Sequence, residues 1–217
     1  MSYLAKTSYH KGESPKDYFK NRHKGIYGQY IYNKEIQEVK KILSKIDSNS
    51  VFLDLPCGNG RWWKMLYKKT KKIIACDISP GMLKYASQWK TKNKFKKILL
   101  LNVDAENLPF SENFFDYSFC FALTKHLPKN IQIKVLGQLN KVSKKGIICT
   151  FPIVNFYTNI IYKLRSKKLQ KELKPMFLNE LQIYLKKMDL VIIYYSRISS
   201  FLGVEHIFLL QPKKKFK

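Results

Sequence analysis

The chain has 217 residues, which corresponds to one globular domain of ordinary size. Its hydrophobic fraction of 45% and aromatic fraction of 14% exclude a disordered or collagen-like chain, because such sequences lack the apolar surface that offsets conformational entropy. The formal net charge of +26 favours nucleic acid or an anionic membrane as a partner, but only four of the 41 basic residues are arginines, so a lysine-rich solvated surface is an equal alternative.

Seven short apolar runs are predicted to be strands, at 51–56, 72–77, 97–102, 115–121, 146–151, 189–197 and 204–211. Helical periodicity lies between several of them, and its apolar positions are Ile36, Val39, Leu43 and Ile46 before the first run and Ile131, Val135, Leu139 and Val142 before the fifth. Ser79 and Pro80 are predicted to begin a further helix, as N-cap and first helical residue.

This alternation is typical of an α/β protein with a doubly wound, mostly parallel sheet of seven strands. No helix separates the last two strands, so the last strand is predicted to run in the reverse direction. The pattern places residues 1–217 in a single Rossmann-like domain, with a polar N-terminal arm at 1–30 and a basic tail at 212–217.

The four cysteines form no C-x-x-C pair, and each lies in or beside an apolar run, where a free cysteine usually packs as a small hydrophobic residue. Neither a signal peptide nor an uncharged run long enough to span a membrane is visible. We therefore expect a protein of the reducing cytoplasm that is soluble or at most peripheral to a membrane, and no metal site.

Candidate site residues follow the predicted strands, at the edge of the sheet where open parallel sheets bind ligands. Gly58 and Gly60 follow the first strand, and glycines there allow positive φ angles and a close approach of a ligand, although ordinary turns also use them. Asp77 ends the second strand, 17 residues after Gly60, near the spacing at which an acidic side chain reaches a ribose diol. The glycines and the aspartate together predict a nucleoside site.

Two further residues narrow the class of ligand that this site can bind. A dinucleotide loop has a third small residue where this chain has Trp63, and the loop lacks the G-K-[ST] of a P-loop. Asp104 closes the third strand, where a carboxylate can accept a hydrogen bond from an adenine amine. These features favour a ligand with adenine, a free ribose diol and no phosphate.

The chain resembles class I S-adenosylmethionine-dependent methyltransferases, of the type called methyltransferase type 11. The motifs that carry the resemblance are 51–60 (VFLDLPCGNG), 75–83 (ACDISPGML), 104–110 (DAENLPF) and 113–116 (NFFD). The family usually has glycine where this chain has Pro56, which has no amide donor.

The resemblance implies S-adenosylmethionine as the cofactor and a role for nine residues in binding it. Pro56, Gly58 and Gly60 would line its methionine moiety and Asp54 would hold the ammonium group, while Asp77 would bind the ribose, Ile78, Asp104 and Ala105 the adenine, and Cys120 would lie near the sulfonium. It also implies that residues 152–180 form a cap on the substrate side.

His126, just after the fourth strand, is the candidate catalytic base, although it could equally only shape the pocket. Tyr27, Tyr30 and Tyr32 could close over a substrate or simply pack on the sheet. We expect Asp116 to be a structural carboxylate rather than a catalytic base, and Trp62 and Trp63 to pack the first helix on the sheet rather than stack on a substrate. Cys57 and Cys120 are expected to be inert.

These observations give three functional hypotheses. The first is a methyltransferase acting on a small metabolite or lipid-biosynthetic intermediate, and the second is a tRNA-type RNA methyltransferase that uses the basic surface. The third and weakest is a non-catalytic methyltransferase-like partner protein. DNA methylation is disfavoured, because the asparagine-proline-proline-aromatic motif is missing after the fourth strand.

Overall fold

The computed structural model describes residues 24–164, 174–198 and 204–213. The strands within them are Ser50–Asp54 (β1), Thr70–Asp77 (β2), Ile98–Asn102 (β3), Phe115–Cys120 (β4), Ser143–Val154 (β5), Met176–Phe177 (β6), Leu190–Arg197 (β7) and Glu205–Pro212 (β8). The helices are Gly25–Ser44 (α1), Trp63–Leu66 (α2), Pro80–Lys92 (α3), Lys129–Val142 (α4), Phe156–Leu164 (α5) and Leu178–Lys187 (α6).

The main sheet has the order β3-β2-β1-β4-β5-β8-β7. Strands β1 to β5 pair in parallel, whereas β8 is antiparallel to both β5 and β7. The predicted doubly wound sheet with a reversed last strand is thus confirmed. The two-residue β6, which pairs with the end of β5, was not predicted because it is too short to show a period.

Helices cover both faces of this sheet, and the sheet divides the core into two halves. On one face α4 and α6 bury Val135, Leu139 and Leu185, and on the other α1 buries Val39 and Ile42 against the sheet. The predicted apolar stripes of α1 and α4 therefore face the core, as their spacing indicated.

The cap of α3 was also predicted correctly. The Ser79 hydroxyl accepts a hydrogen bond from the Met82 amide at 3.3 Å, and Pro80 is the first helical residue. This geometry fixes the chain directly after β2, at the edge of the sheet where the candidate site lies.

Three predicted boundaries need revision. Residues 25–30 are not a loose arm, because they form the first turns of α1, and residues 1–23 lie outside the described residues. The segment 152–180 is divided among the end of β5, α5, β6 and the start of α6, with 165–173 outside the described residues. Of the tail at 212–217, Pro212 ends β8 and the Lys213 amide donates to the Asp189 carbonyl at 2.7 Å, while 214–217 lie outside.

None of the described helices has the length and apolar character that crossing a membrane requires.

Candidate functional site

A cleft opens at the carboxyl ends of β1, β2 and β4, beside the point where the strand order reverses between β1 and β4. Open α/β sheets bind ligands at this position. The cleft holds about 700 Å³ of empty space, its open mouth included. The lining residues are Pro56, Cys57, Gly58, Asn59, Arg61, Trp62, Asp77, Ile78, Met82, Phe121, Ala122, Leu123 and His126.

The loop after β1 depends on two glycines with positive φ, Gly58 at 53° and Gly60 at 78°. A Cβ atom on Gly60 would lie 2.4 Å from Cε3 of Trp63, whereas one on Gly58 would meet nothing within 4 Å. Gly60 is therefore required by the indole beneath the loop, and Gly58 leaves open space beside the cleft. The bulky residue that argued against a dinucleotide thus has a structural role under the loop.

Asp77 connects this loop to the end of β2. One carboxylate oxygen accepts a hydrogen bond from the Gly58 amide and the other from the Ser79 amide, both at 2.9 Å. The side-chain amide of Asn102 holds the same turn through the carbonyls of Asp77 and Ile78, at 2.9 and 3.0 Å. Burial raises the pKa of Asp77, and these backbone amides partly offset that effect.

Asp54 lies beneath the loop at the end of β1 and is not among the residues that line the cleft. Its carboxylate is 2% exposed and accepts a hydrogen bond from the indole nitrogen of Trp63 at 2.8 Å. Desolvation by burial raises the pKa of Asp54 to about 7, although the Trp63 hydrogen bond opposes it. The role expected for Asp54 toward an ammonium group stays a prediction.

The Asp54 pKa predicts a pH-dependent stability. Because its pKa is raised from 3.8 to about 7 on folding, the folded state keeps this proton to a higher pH than the unfolded state does. The free energy of unfolding therefore falls as the pH rises through that interval. We expect Asp54→Asn, which keeps an acceptor for Trp63, to raise the free energy of unfolding by up to about 4 kcal/mol at about pH 8 and to change it little at about pH 4.

Denaturant unfolding at the two pH values measures this difference, with the exposed Asp189→Asn as control. Equal effects of Asp54→Asn at both pH values would contradict the prediction.

The turn after β4 forms the opposite wall of the cleft. Ala122 has a positive φ of 63°, and its amide donates to the hydroxyl of Thr150 on β5 at 2.8 Å. The Thr124 hydroxyl donates to the Thr150 carbonyl, so Thr150 of β5 holds the turn through two hydrogen bonds. The short 3-10 turn Thr124–His126 then places His126 at the cleft, as the resemblance implied.

Of the ten predicted site residues, five line the cleft: Pro56, Gly58, Asp77, Ile78 and His126. Asp104 and Ala105 follow β3 at the same edge but are not among the lining residues, and the Asp104 carboxylate accepts a hydrogen bond from the Glu106 amide at 3.0 Å. Cys120 is fully buried in the core, where desolvation raises the pKa of its thiol to about 12. The inert character expected of this thiol agrees with that burial.

Arg61 and Trp62 are lining residues whose role at the cleft sequence reasoning missed. The Arg61 guanidinium lies over the rings of Trp62 and Phe121, at 4.4 and 5.0 Å from their centroids, and pairs with Glu35 of α1 at 2.8 Å. Trp62 packs on Phe121 with ring centroids 4.7 Å apart. The signal in the sequence was a rare arginine next to the glycine loop, but its partner Glu35 could be found only from the packing of α1.

Asp116 and the cysteines have structural positions. The Asp116 carboxylate accepts a hydrogen bond from the Val51 amide at 2.8 Å, which ties the start of β4 to β1 and confirms the expected structural role. All four cysteines are free and buried. Among the described residues, no group of three or more His, Cys, Asp or Glu side chains could hold a metal ion.

Comparison with known proteins gives a consistent picture. The family model for a methyltransferase domain matches residues 52–146. Demethylmenaquinone methyltransferase of Staphylococcus saprophyticus is 31% identical over 143 residues, which cover 64% of this chain and 60% of that protein. The tRNA (carboxymethyluridine(34)-5-O)-methyltransferase of Arabidopsis thaliana is 34% identical over 110 residues, half of this chain and 25% of that protein.

The chain thus spans less than two thirds of the curated relatives that it matches. Among solved structures, magnesium protoporphyrin IX methyltransferase from Synechocystis with bound S-adenosylhomocysteine superposes with a TM-score of 0.75 at 14% identity, and the alignment covers 95% of this chain and 99% of that one. Residues 52–146 thus match a methyltransferase domain, and the fold is that of the class I S-adenosylmethionine-dependent methyltransferases.

Proposed function

We propose that this protein transfers the methyl group of S-adenosylmethionine to a small-molecule acceptor, a metabolite or a lipid-biosynthetic intermediate. The observation that carries the proposal is Asp77, a buried carboxylate that backbone amides hold at the floor of the cleft. A carboxylate offers about four lone-pair positions, so two remain for the hydroxyls of a ribose after the amides of Gly58 and Ser79 are bound.

The residues of the cleft fit this cofactor in three respects. Asp77 offers acceptors for a diol, Ile78 and Met82 provide an apolar wall for a base, and Gly58 leaves room where a side chain would stand. Pro56 would contact the methionine moiety from the same loop, while Asp54, Gly60, Asp104, Ala105 and Cys120 would act from positions behind or beside the lining. When bound, S-adenosylmethionine supplies a methyl carbon that its sulfonium already activates.

The acceptor would lie against the opposite wall, formed by Trp62, Phe121, Leu123 and His126. Trp62 and Phe121 are buried and exclude water from that side, and a fixed orientation of two reactants removes about 7–11 kcal/mol from a barrier. His126 would take the proton of an acceptor hydroxyl or ammonium group. The cleft thus divides into a cofactor side on β2 and an acceptor side on β4.

His126 supplies a prediction for this arrangement. We expect His126→Gln to lower kcat by about tenfold or more and to remove one limb of the pH profile, because glutamine occupies similar space but accepts no proton at neutral pH. Affinity for S-adenosylhomocysteine, measured by calorimetry, should not change. His206→Gln, outside the lining of the cleft, is the matched control. An unchanged kcat and pH profile for His126→Gln would mean that His126 only shapes the pocket and is not a catalytic base.

RNA is the second candidate acceptor, and a specific observation favours it. Eleven lysines and a single acidic residue, the buried Asp77, lie between residues 62 and 103. The two curated relatives also divide between a quinone-type and a tRNA acceptor by their names. A cytoplasmic enzyme, with its four cysteines reduced, would meet both kinds of acceptor.

The deciding experiment is transfer of a labelled methyl group from S-adenosylmethionine into the small-molecule and RNA fractions of a cell extract, in parallel. Label in the small-molecule fraction supports the first acceptor, and label in RNA alone replaces it with the second. Calorimetric titration with S-adenosylhomocysteine tests the cofactor separately, and absence of binding would refute the proposed function itself.

A further inference from the structure

A groove rich in lysine lies away from the cleft, at the amino ends of β2 and β3. Lys71 and Lys72 lie near the start of β2, Lys96 and Lys97 precede β3, and Lys90 is in the last turn of α3. These five lysines, with Ile98 and Leu99, line an open depression that holds about 820 Å³ of empty space, its open mouth included. We call this set of seven residues the lysine groove.

Within the described part of the chain, no ion pair neutralises the positive charge of the lysine groove. The ion pairs found among the described residues involve Arg61 and lysines of α1, α4, β5 and the turn after β4, and none involves a lysine of the groove. Lys97 directs its ammonium group to the Thr70 carbonyl at 3.2 Å and over the ring of Tyr67 at 5.3 Å. Four of the five lysines are exposed. Their positive charges repel one another, and a bound polyanion would relieve that repulsion.

The position of the groove selects the kind of polyanion. Lys72 and Asp77 are five residues apart on β2, so the groove and the cofactor side of the cleft lie about 16 Å apart along the strand. The groove is at the amino ends of the strands and the cleft is at their carboxyl ends. A flat membrane that touched the amino ends of the strands would leave the cleft facing away from it. A folded RNA can follow the side of the sheet and place a nucleotide at the other edge.

We propose that the lysine groove binds the sugar-phosphate backbone of RNA and holds it on the β3 side of the sheet while another part of the same molecule reaches the cleft. This inference rests on the proposed transfer from S-adenosylmethionine and develops its second acceptor, RNA, which would take the place of the small molecule. Lysine contributes point charges rather than the forked contacts by which arginine reads bases. The groove therefore supplies affinity without sequence preference, and specificity is left to the cleft.

The lysines also have an ordinary structural explanation that the test must separate. Lys96 and Lys97 directly precede β3, an edge strand of the sheet, and exposed lysines beside an edge strand hinder pairing between molecules. Replacement by glutamate retains charge at the edge and so preserves this protection, but it repels phosphate. The triple variant Lys71→Glu, Lys72→Glu, Lys96→Glu thus distinguishes RNA binding from edge protection.

The experiment titrates labelled bulk transfer RNA with the full-length protein, by fluorescence anisotropy between about 50 and 200 mM salt. The matched control is Lys144→Glu, Lys186→Glu, Lys187→Glu, which makes the same change of net charge at exposed lysines outside the groove. We expect the groove variant to bind about 10- to 100-fold more weakly and the salt slope of log K to fall by about 2 to 3. The control should change affinity by less than about threefold.

Several outcomes would overturn the inference. Equal weakening by both triple variants would show an effect of net charge alone, and tight binding of vesicles of phosphatidylcholine and phosphatidylglycerol, lost only in the groove variant, would assign the surface to membranes. Absence of RNA binding by the wild-type protein would also refute it. Binding of S-adenosylhomocysteine keeps the two proposals apart. A wild-type protein that does not bind it would refute the proposed function, whereas a wild-type protein that binds it but not RNA would refute only the inference about the groove.

Discussion

Replacing Asp77 by asparagine is expected to weaken binding of S-adenosylhomocysteine by about 100- to 1000-fold. Each hydrogen bond to a charged group contributes about 1.5–3 kcal/mol, and a ribose diol would make two of them to this carboxylate. Asparagine also turns an amino group toward the amide of either Gly58 or Ser79, which now donate to the two oxygens. The loop would thus lose a contact even without ligand.

Calorimetry measures the change in affinity, and thermal unfolding reports any loss of stability in the same variant. Asp116→Asn is the matched control, because Asp116 is a carboxylate with a backbone amide partner outside the lining of the cleft. It should lower the melting temperature and leave the affinity unchanged. An Asp77→Asn protein that binds S-adenosylhomocysteine as well as the wild type would remove Asp77 from the site and the main support of the proposed function.

The second large effect is expected at Gly60. Alanine there would combine a left-handed backbone with a Cβ atom 2.4 Å from the Trp63 ring, and the ring is fully buried and cannot move aside. A left-handed non-glycine residue costs about 1–2 kcal/mol and overpacking a further 1–3 kcal/mol. We expect the free energy of unfolding to fall by about 3 kcal/mol.

Gly58→Ala is the matched control for this experiment. Gly58 has a similar positive φ, but a Cβ atom there meets nothing within 4 Å, so only the backbone cost of about 1 kcal/mol applies. Denaturant unfolding of both variants measures the difference. Equal losses of stability would mean that the indole can yield and that Trp63 does not dictate the residue at position 60.

Local patterns predicted the sheet and five of the residues that line the cleft. Gly58 and Asp77 come from adjacent parallel strands, so their neighbourhood follows from the pairing of β1 with β2 alone. His126 follows from its place after β4. Contacts that depend on side-chain packing could not be predicted from the sequence. The spacing of residues does not tell that the indole nitrogen of Trp63 points to the Asp54 carboxylate.

The details of three further residues depend on the same kind of packing. Asp104 and Ala105 lie at the expected edge of the sheet, where the Asp104 carboxylate accepts a hydrogen bond from the Glu106 amide, and their contact with adenine stays a prediction. Cys120 precedes the turn that enters the cleft and points into the core. Successive residues of β4 point to opposite faces of the sheet, so Cys120 packs in one half of the core and Phe119 and Phe121 in the other. An error of one residue therefore changes the side of the sheet on which a side chain is expected.

The ion pair between Glu35 and Arg61 has a consequence for where this domain begins. The family model starts at residue 52, after α1, yet Glu35 is 2% exposed and pairs at 2.8 Å with the arginine directly after the glycine loop. A fragment cut at the family boundary would leave that guanidinium without its carboxylate and would uncover Phe52 and the neighbouring core. We therefore expect the unit that folds to extend at least one helix, α1, beyond the residues that the family model matches.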